Sequence, residues 1–316
     1  MSAERQGVRV ALVGATASGK SSLAHALALQ SSPNVELICV DAMTVYRGMD
    51  IGTAKPSTEQ QREVRYHMLD LVEPNEEYTV AAFQQGERDV RRDVWAREHA
   101  VLYVGGTGLY ARAVFDDFEI PSQYRAIRRE LEERAKTQLD QLFQELLALD
   151  PVAASRMEPN NERRIVRALE VCRGSGRPFS SFGPGLETYR EQGVIQVGLR
   201  RSMEELDARI EVRFRQWMDV GLLDEVRHLA TSPGGLSRTA RQAVGYKELL
   251  GNVEHDVPLE QCVADAISAS RRLARRQRSW FERDPRIEWF DDVEAASARI
   301  CQLLTTEGAT VRDWTT

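Results

Sequence analysis

The sequence predicts an α/β protein with a parallel sheet core and an all-helical insertion domain. Three observations predict this class. Short continuous apolar runs alternate with helical stretches in the first third of the chain, as expected for a parallel sheet covered by helices. A glycine-rich loop directly follows the first of these runs. Strand-like runs are then absent from about residue 122 to 171, and they return near residue 194.

The first third of the chain contains the clearest strands. Val8–Val13 is a continuous apolar run and is predicted to be a buried strand, with Ser21–Gln30 as the helix after it. Val35–Val40 is the second strand, and it ends at Asp41. The next predicted elements are, in order, a weaker strand at His67–Val72, a long helix at Thr79–His99 and a short strand at Val101–Val104, which Gly105 and Gly106 close.

The middle of the chain is predicted to be helical. Tyr124–Asp150 is amphipathic and is interrupted by Pro151, and Glu162–Cys172 forms a second helix. Gly174–Gly185 is rich in Gly, Pro and Ser, which indicates a loop or hinge. The remaining predicted elements are a strand at Val194–Leu199, helices with short turns over Ser202–Arg283 and a last strand at Ile287–Phe290. We therefore predict a core of residues 1–117 and 191–316 and a helical insertion of residues 118–190.

Composition and charge exclude several classes of protein. The 316 residues are 42% hydrophobic and 28% charged, as in soluble globular proteins. No apolar run approaches the roughly 20 residues of a membrane helix, and Met1–Gly7 has no signal-peptide pattern, so we expect a cytoplasmic protein. Four widely spaced cysteines exclude zinc ribbons and disulfide frameworks. The net charge of −6 does not by itself indicate a nucleic-acid-binding protein, although a local basic stripe can serve that purpose.

The loop after the first strand matches the phosphate-binding pattern G-x-x-x-x-G-K-[ST]. A strand precedes it and a helix follows, as the mechanism requires: backbone N–H groups surround phosphate oxygens at a helix N-terminus. Lys20 supplies a mobile positive charge, and the Ser21 hydroxyl is a candidate ligand of Mg²⁺. The predicted core is therefore P-loop NTPase-like. The predicted diphosphate-binding residues are Gly14, Ala15, Thr16, Ala17, Ser18, Gly19, Lys20 and Ser21.

An acidic residue, Asp41, ends the second strand. The carboxyl ends of parallel strands are where α/β sheets bind ligands. In this position the carboxylate can hold Mg²⁺, act as a general base, or cap a helix, and the spacing alone does not choose among these roles.

The segment that begins at Asp41 carries a family resemblance. Asp41–Pro56, DAMTVYRGMDIGTAKP, closely resembles the signature of bacterial tRNA dimethylallyltransferases, also called tRNA isopentenyltransferases. The resemblance extends in order over nearly the whole chain, through the blocks His67–Pro74, Val104–Tyr110, Arg164–Val171, Arg209–Phe214, Val244–Glu248 and Arg275–Phe281.

This resemblance implies a reaction and a set of residues. A dimethylallyl group moves from dimethylallyl diphosphate to N6 of adenine 37, beside the tRNA anticodon, and diphosphate leaves. The phosphate loop then holds the donor's diphosphate with Mg²⁺, and the implied catalytic residues are Asp41, Arg213 and Lys20. The implied tRNA contacts are Asp41, Ala42, Met43, Thr44, Thr107, Arg125, Arg163, Arg164, Arg167 and Gln242.

Other interpretations remain open at this stage. The same chemistry on free AMP, ADP or ATP, a P-loop small-molecule kinase and a non-catalytic RNA-binding module each fit part of the sequence. Five arginines within residues 271–278 also predict a phosphate-contacting helical stripe. No coiled-coil pattern is present, and we expect a monomer.

Overall fold

The computed structural model describes residues 9–31, 34–183, 185–186, 188–189 and 193–305. The chain divides into two compact units. The core unit comprises Met1–Phe115 and Glu191–Thr316, and the helical unit comprises Asp116–Arg190. The predicted return to the core at residues 190 and 191 lies outside the described residues, as does the first residue of the predicted strand, Val8.

The core unit is built on a parallel sheet. Over the described residues it has six strands in the order β3-β2-β4-β1-β5-β6, and each neighbouring pair is parallel. The strands are β1 (Arg9–Val13), β2 (Val35–Val40), β3 (Tyr66–His67), β4 (Ala100–Gly105), β5 (Val194–Leu199) and β6 (Ile287–Phe290). The predicted α/β fold class is confirmed. Chain order reverses around β1, which creates a ligand-binding crevice at its carboxyl end.

Helices cover both faces of the sheet. In the core unit they are α1 (Lys20–Gln30), α2 (Thr58–Glu63), α3 (Val80–Ala96), α4 (Gly108–Phe115), α8 (Met203–Asp219), α9 (Leu222–Thr231), α10 (Tyr246–His255), α11 (Leu259–Phe281) and α12 (Val293–Thr305). In the helical unit they are α5 (Arg125–Leu149), α6 (Pro151–Ala154) and α7 (Glu162–Ser175). No helix in the described part of the chain is long and apolar enough to cross a membrane.

Alternation along the central strand explains the two buried layers. Val10 and Leu12 of β1 pack in a cluster with α1 and α12, whereas Ala11 and Val13 pack in a larger cluster with α3, α4 and α8–α11. Both faces of the strand are apolar because successive side chains point to opposite faces and both faces are covered.

Three features of the core depart from the sequence predictions. The weaker strand predicted at His67–Val72 is only Tyr66–His67, and Val72 instead forms an isolated bridge with Tyr46. Helix α2 has no buried residue, so no apolar periodicity marks it in the sequence. The only sign of this helix is the capping box between Ser57 and Gln60. Helices α4 and α12 also lie outside the predicted segments.

The helical unit has a core of its own. Leu131, Leu142 and Leu146 of α5 pack against Ile165 and Leu169 of α7. The two predicted helices are confirmed, although α5 carries a non-helical residue, Gln138, and α7 continues to Ser175. In the predicted hinge, Phe179–Phe182 forms a 3₁₀ turn, and Pro184 lies outside the described residues.

A fully buried carboxylate, Glu170, organises this unit. It accepts a hydrogen bond from the Tyr124 backbone N–H at 2.7 Å and forms ion pairs with Arg128 at 3.3 Å and Arg167 at 2.9 Å. Burying a carboxylate is tolerable only when its lone pairs are satisfied in this way.

We expect Glu170→Gln to destabilise the protein by about 2 kcal/mol, because it removes charge from a buried, multiply hydrogen-bonded site. The matched control is Glu133→Gln, which removes a carboxylate from an exposed pair with Lys136 and should change stability by less than about 0.5 kcal/mol. Urea unfolding followed by circular dichroism measures both. Equal midpoints for the two variants would contradict the structural role of Glu170.

Candidate active site

The candidate site is a cleft in the core unit at the carboxyl edge of the sheet. It has a volume of about 740 Å³. The phosphate loop and the loops after β2 and β4 line one side, and residues of α8 and α11 line the other. This is the edge at which chain order reverses around β1, so topology brings these segments together.

The phosphate loop has the backbone that a nest of N–H groups requires. Gly14 and Gly19 have φ of 154° and 100°, and Ala17 adopts the left-handed region with φ of 64°. A Cβ at Gly14 would lie 2.7 Å from the Leu199 carbonyl oxygen, so that position has no room for a side chain. Left-handed Ala17 costs of order 1 kcal/mol, as found where backbone strain serves a site.

Two arginines hold the loop from outside. Arg209 Nε donates to the Ala17 carbonyl at 2.8 Å, and Arg201 Nε donates to the Ser18 carbonyl at 2.8 Å. The C=O and N–H of a trans peptide point in opposite directions. The N–H groups of Ser18 and Gly19 are therefore turned away from these arginines, and the Ser18 N–H donates to the Ala15 carbonyl at 3.3 Å.

Lys20 lies at the base of the cleft. Its Nζ donates to the Ala15 carbonyl at 3.0 Å. Burial and the positive charge of Arg213 together lower the pKa of Lys20 to about 8, although the negative charge of Asp41 opposes both effects. A bound anion supplies the negative charge that would hold this lysine in its protonated form.

Arg213 is the second cation of the site. Its Nη2 donates to Thr16 Oγ1 at 2.7 Å, and its guanidinium lies 4.6 Å from the centre of the Trp217 ring. Burial and the neighbouring Arg209 charge lower the pKa of Arg213 to about 10. Its Nε is buried and has no hydrogen-bond partner among the described residues. An unsatisfied buried donor is costly, and a ligand oxygen would satisfy it.

Asp41 is the acidic residue that lines the cleft at the end of β2. Its Oδ1 accepts from the Met43 backbone N–H at 2.8 Å, and its Oδ2 accepts from Thr107 Oγ1 at 3.2 Å. The first contact is a local turn, and the second joins β2 to β4. Since each carboxylate oxygen accepts more than one hydrogen bond, Asp41 keeps the capacity to accept from a ligand amine.

The segment after Asp41 is held by hydrogen bonds and ion pairs of charged side chains. Lys55 Nζ donates to the Tyr46 carbonyl at 2.8 Å and to Asp70 at 2.6 Å. The Glu225 carboxylate accepts from the Ile51 backbone N–H at 2.9 Å and from the Tyr246 hydroxyl. These contacts fix the loop that carries residues 42–44.

The predicted tRNA-binding residues are divided between the two units. In the core unit, Ala42 donates its N–H to Thr107 at 3.3 Å, Met43 and Thr44 line the cleft, and Gln242 is exposed on a 3₁₀ turn. In the helical unit, Arg125, Arg163 and Arg164 are exposed. Arg167 is different, because its guanidinium donates to the Pro121 and Ser122 carbonyls at 2.7 and 3.3 Å. These hydrogen bonds join two segments of the helical unit and so stabilise that unit.

Two of the five arginines in the stripe on α11 form ion pairs with α8. Arg271 pairs with Glu211 at 2.8 Å, and Arg275 pairs with Asp207 at 2.6 Å. Both carboxylates come from α8, far away in the sequence. These arginines therefore fasten α11 to α8, which the helical spacing of the stripe could not reveal.

Several functional candidates were missed from the sequence. Arg209 is one turn before Arg213 on α8, so helical spacing could have placed both on one face. Gln277 lies among the arginines of α11 and contacts the phosphate loop, with Thr16 N–H donating to its Oε1 at 2.7 Å. Arg201 and Trp217 carry no comparable signal, because only the fold brings Arg201 to the loop and Trp217 to the cleft.

A sequence model described as IPP transferase matches residues 44–284, most of the chain. The chain belongs to the IPP transferase family. The phosphate loop precedes the matched region and Asp41 lies just before it, while Arg213 and Gln277 lie within it.

Known proteins resemble the chain over most of its length. A tRNA dimethylallyltransferase of Bifidobacterium animalis subsp. lactis is 43% identical over 91% of this chain and 83% of the relative. A tRNA dimethylallyltransferase of a Nocardioides species is 41% identical over 90% and 91%. The crystal structure of the tRNA isopentenylpyrophosphate transferase of Bacillus halodurans is 32% identical, with a TM-score of 0.67 over 96% of this chain and 98% of the other.

Proposed function

We propose that this protein transfers a dimethylallyl group from dimethylallyl diphosphate to N6 of adenine 37 in tRNA, beside the anticodon, and releases diphosphate. The names of the similar proteins support tRNA prenylation. The observation that carries the proposal is the meeting of two cations and one carboxylate in a single cleft: Lys20, Arg213 and Asp41. This arrangement suits a reaction with an anionic leaving group and an amine nucleophile.

The cations act on the donor. As N6 attacks C1 of the dimethylallyl group, the C1–O bond breaks and its electron pair leaves with the diphosphate. Negative charge grows on that oxygen in the transition state, and fixed cations stabilise it where water is largely excluded. Lys20 Nζ, the free Nε of Arg213 and the N–H groups of the phosphate loop supply this stabilisation.

Asp41 acts on the acceptor. The exocyclic amine of adenine is a weak nucleophile because its lone pair is delocalised into the ring. A carboxylate that accepts a hydrogen bond from N6 orients the amine and takes its proton as the new C–N bond forms. The bonds from Met43 and Thr107 fix Asp41 for this role. The adenine must leave its stack in the anticodon loop to reach the cleft.

Mg²⁺ fits the site as a partner of the donor. The described residues contain no cluster of three or more His, Cys, Asp or Glu side chains that could hold a metal ion. The Ser21 hydroxyl lines the cleft next to the phosphate loop. Mg²⁺ is commonly held by few protein ligands together with phosphate oxygens and water. We propose that Ser21 and the diphosphate would hold it, and that when bound it neutralises leaving-group charge.

The helical unit is proposed to bind the anticodon stem-loop. Arg125, Arg163 and Arg164 are exposed there and offer guanidinium groups to RNA phosphates. A tRNA substrate also favours a cytoplasmic location. We propose a monomeric enzyme.

Incubating the protein with labelled dimethylallyl diphosphate, Mg²⁺ and unmodified tRNA tests the proposed function. We expect label in the tRNA fraction, and digestion to nucleosides should yield N6-dimethylallyladenosine at position 37. Parallel reactions contain free AMP or ATP in place of tRNA. Label in AMP alone would assign the activity to free adenylates, and ATP turnover without prenyl transfer would indicate a kinase.

Asp41→Asn should reduce the turnover number by about 10²- to 10⁴-fold, because the amide cannot accept a proton although it keeps the shape of the side chain. Donor and tRNA affinities, measured by calorimetry and gel shift, should stay within about threefold of wild type. Asp93→Asn, an exposed change on α3, is the control and should leave turnover unaltered. Near-wild-type turnover of the Asp41 variant would exclude its role as the base.

The affinity for dimethylallyl diphosphate should fall as pH rises above 8. The pKa of Lys20 is about 8, so the free site loses its cation there, whereas the donor diphosphate favours the protonated lysine. Kd measured from pH 7 to 9.5 should rise by up to about tenfold per unit above pH 8. Lys20→Met should bind weakly and show no such dependence. The same pH slope in both proteins would assign it to another group.

Arg163→Glu with Arg164→Glu should weaken tRNA binding and flatten its salt dependence, because each lost phosphate contact removes a released counterion. The slope of log K against log salt should shrink by roughly one to two units, while donor affinity stays constant. Lys136→Glu on the same unit controls for the effect of a single charge reversal away from the proposed interface. Arg167 is left unchanged because its guanidinium is used internally. Unaltered tRNA affinity would remove these arginines from the interface.

A further inference from the structure

One side chain joins the two halves of the cleft. The half-buried Gln277 of α11 accepts from the Thr16 backbone N–H at 2.7 Å and donates from Nε2 to the Gly106 carbonyl at 2.8 Å. Thr16 belongs to the phosphate loop after β1, and Gly106 belongs to the loop after β4. A single primary amide therefore holds these two loops at a fixed separation.

The two ends of this bridge lead to different reacting groups. Thr16 also accepts, through its hydroxyl, the hydrogen bond from Arg213 on the proposed diphosphate side. Gly106 is followed by Thr107, whose hydroxyl donates to Asp41 on the adenine side. Hydrogen bonds, together with the covalent link between Gly106 and Thr107, therefore connect Arg213 to Asp41 through Gln277.

The packing around the bridge leaves little freedom for another arrangement. A Cβ on Gly106 would lie 2.8 Å from Gln277 Nε2 and 3.1 Å from the Gly14 carbonyl oxygen. The absence of a side chain at Gly106 allows the amide to approach the backbone this closely. Both hydrogen bonds of Gln277 are to backbone atoms, so they position the loops themselves and not merely the side chains on them.

We infer that Gln277 is a positioning residue that sets the separation between the leaving diphosphate and Asp41. This inference rests on the proposed prenyl transfer. Gln277 contributes no charge and accepts no proton in the reaction. Its effect is on geometry, and displacing a reacting group by about 1 Å can reduce a rate by about 10²-fold.

The test uses Gln277→Met in the full chain. Methionine has a similar length but cannot form either hydrogen bond, so both loops lose the bridge while the volume of the side chain is retained. We expect the single-turnover rate at saturating donor and tRNA to fall about 10- to 100-fold. The Kd values of both substrates should change by less than about threefold, because the cations and the RNA-binding groups remain.

A matched substitution controls for the chemistry of the change. Gln261→Met makes the same replacement at an exposed position of the same helix, and it should leave the rate unchanged. Gln277→Glu is the second variant. Glutamate can still accept from Thr16 N–H but cannot donate to the Gly106 carbonyl, so its rate should also fall.

A double-mutant cycle with Asp41→Asn distinguishes positioning from general weakening of the structure. If Gln277 acts by placing Asp41 against the donor, its substitution should cost far less once the base is absent, because coupled residues are non-additive. Equal fold-losses in the two backgrounds would overturn the inference, and so would an unchanged rate in both Gln277 variants. Because wild-type turnover is measured in the same series, failure of the proposed function is recognised separately, by the absence of any prenylated tRNA.

Discussion

The site depends on keeping cations close together without neutralising them inside the protein. Burial disfavours the charged forms of both Lys20 and Arg213, the charge of Arg213 further disfavours that of Lys20, and the charge of Arg209 further disfavours that of Arg213. This cost lowers the pKa of Lys20 to about 8 and the pKa of Arg213 to about 10. In the proposed reaction, a diphosphate relieves this cost on binding, and the stabilisation is greatest in the transition state, when a further negative charge develops on the leaving group.

The remainder of the core unit keeps this arrangement in place. Arg201 and Arg209 satisfy the outward carbonyls of the loop, so its N–H groups have a fixed direction. Close approach of backbones is needed as well. A Cβ at Gly105 would lie 2.2 Å from the Val40 carbonyl oxygen, at the point where β2 and β4 end together. Rigid loops at one sheet edge are the preorganisation on which electrostatic catalysis relies.

Arginine serves two distinct purposes in this protein. Arg271 and Arg275 pair with carboxylates of α8, and Arg167 holds backbone carbonyls within the helical unit. These guanidinium groups stabilise packing. Arg213 keeps a donor free in the cleft, and Arg163 and Arg164 are exposed. The second group leaves guanidinium groups accessible to a ligand, and the abundance of arginine in a segment does not separate the two classes.

The fold class, the phosphate loop and the acid at the end of β2 could be predicted from the amino-acid sequence. Each is encoded locally: apolar runs form buried strands, glycines permit the loop, and a strand end fixes where Asp41 lies. Tertiary structure decided which distant side chains serve that loop. Arg209 and Gln277 reach it from α8 and α11, and Gln277 is separated from Thr16 by 261 positions. It also decided that Arg271 and Arg275 of α11 pair with carboxylates of α8. Hydrogen bonds and ion pairs between elements depend on how helices pack across the sheet, and no local spacing records that.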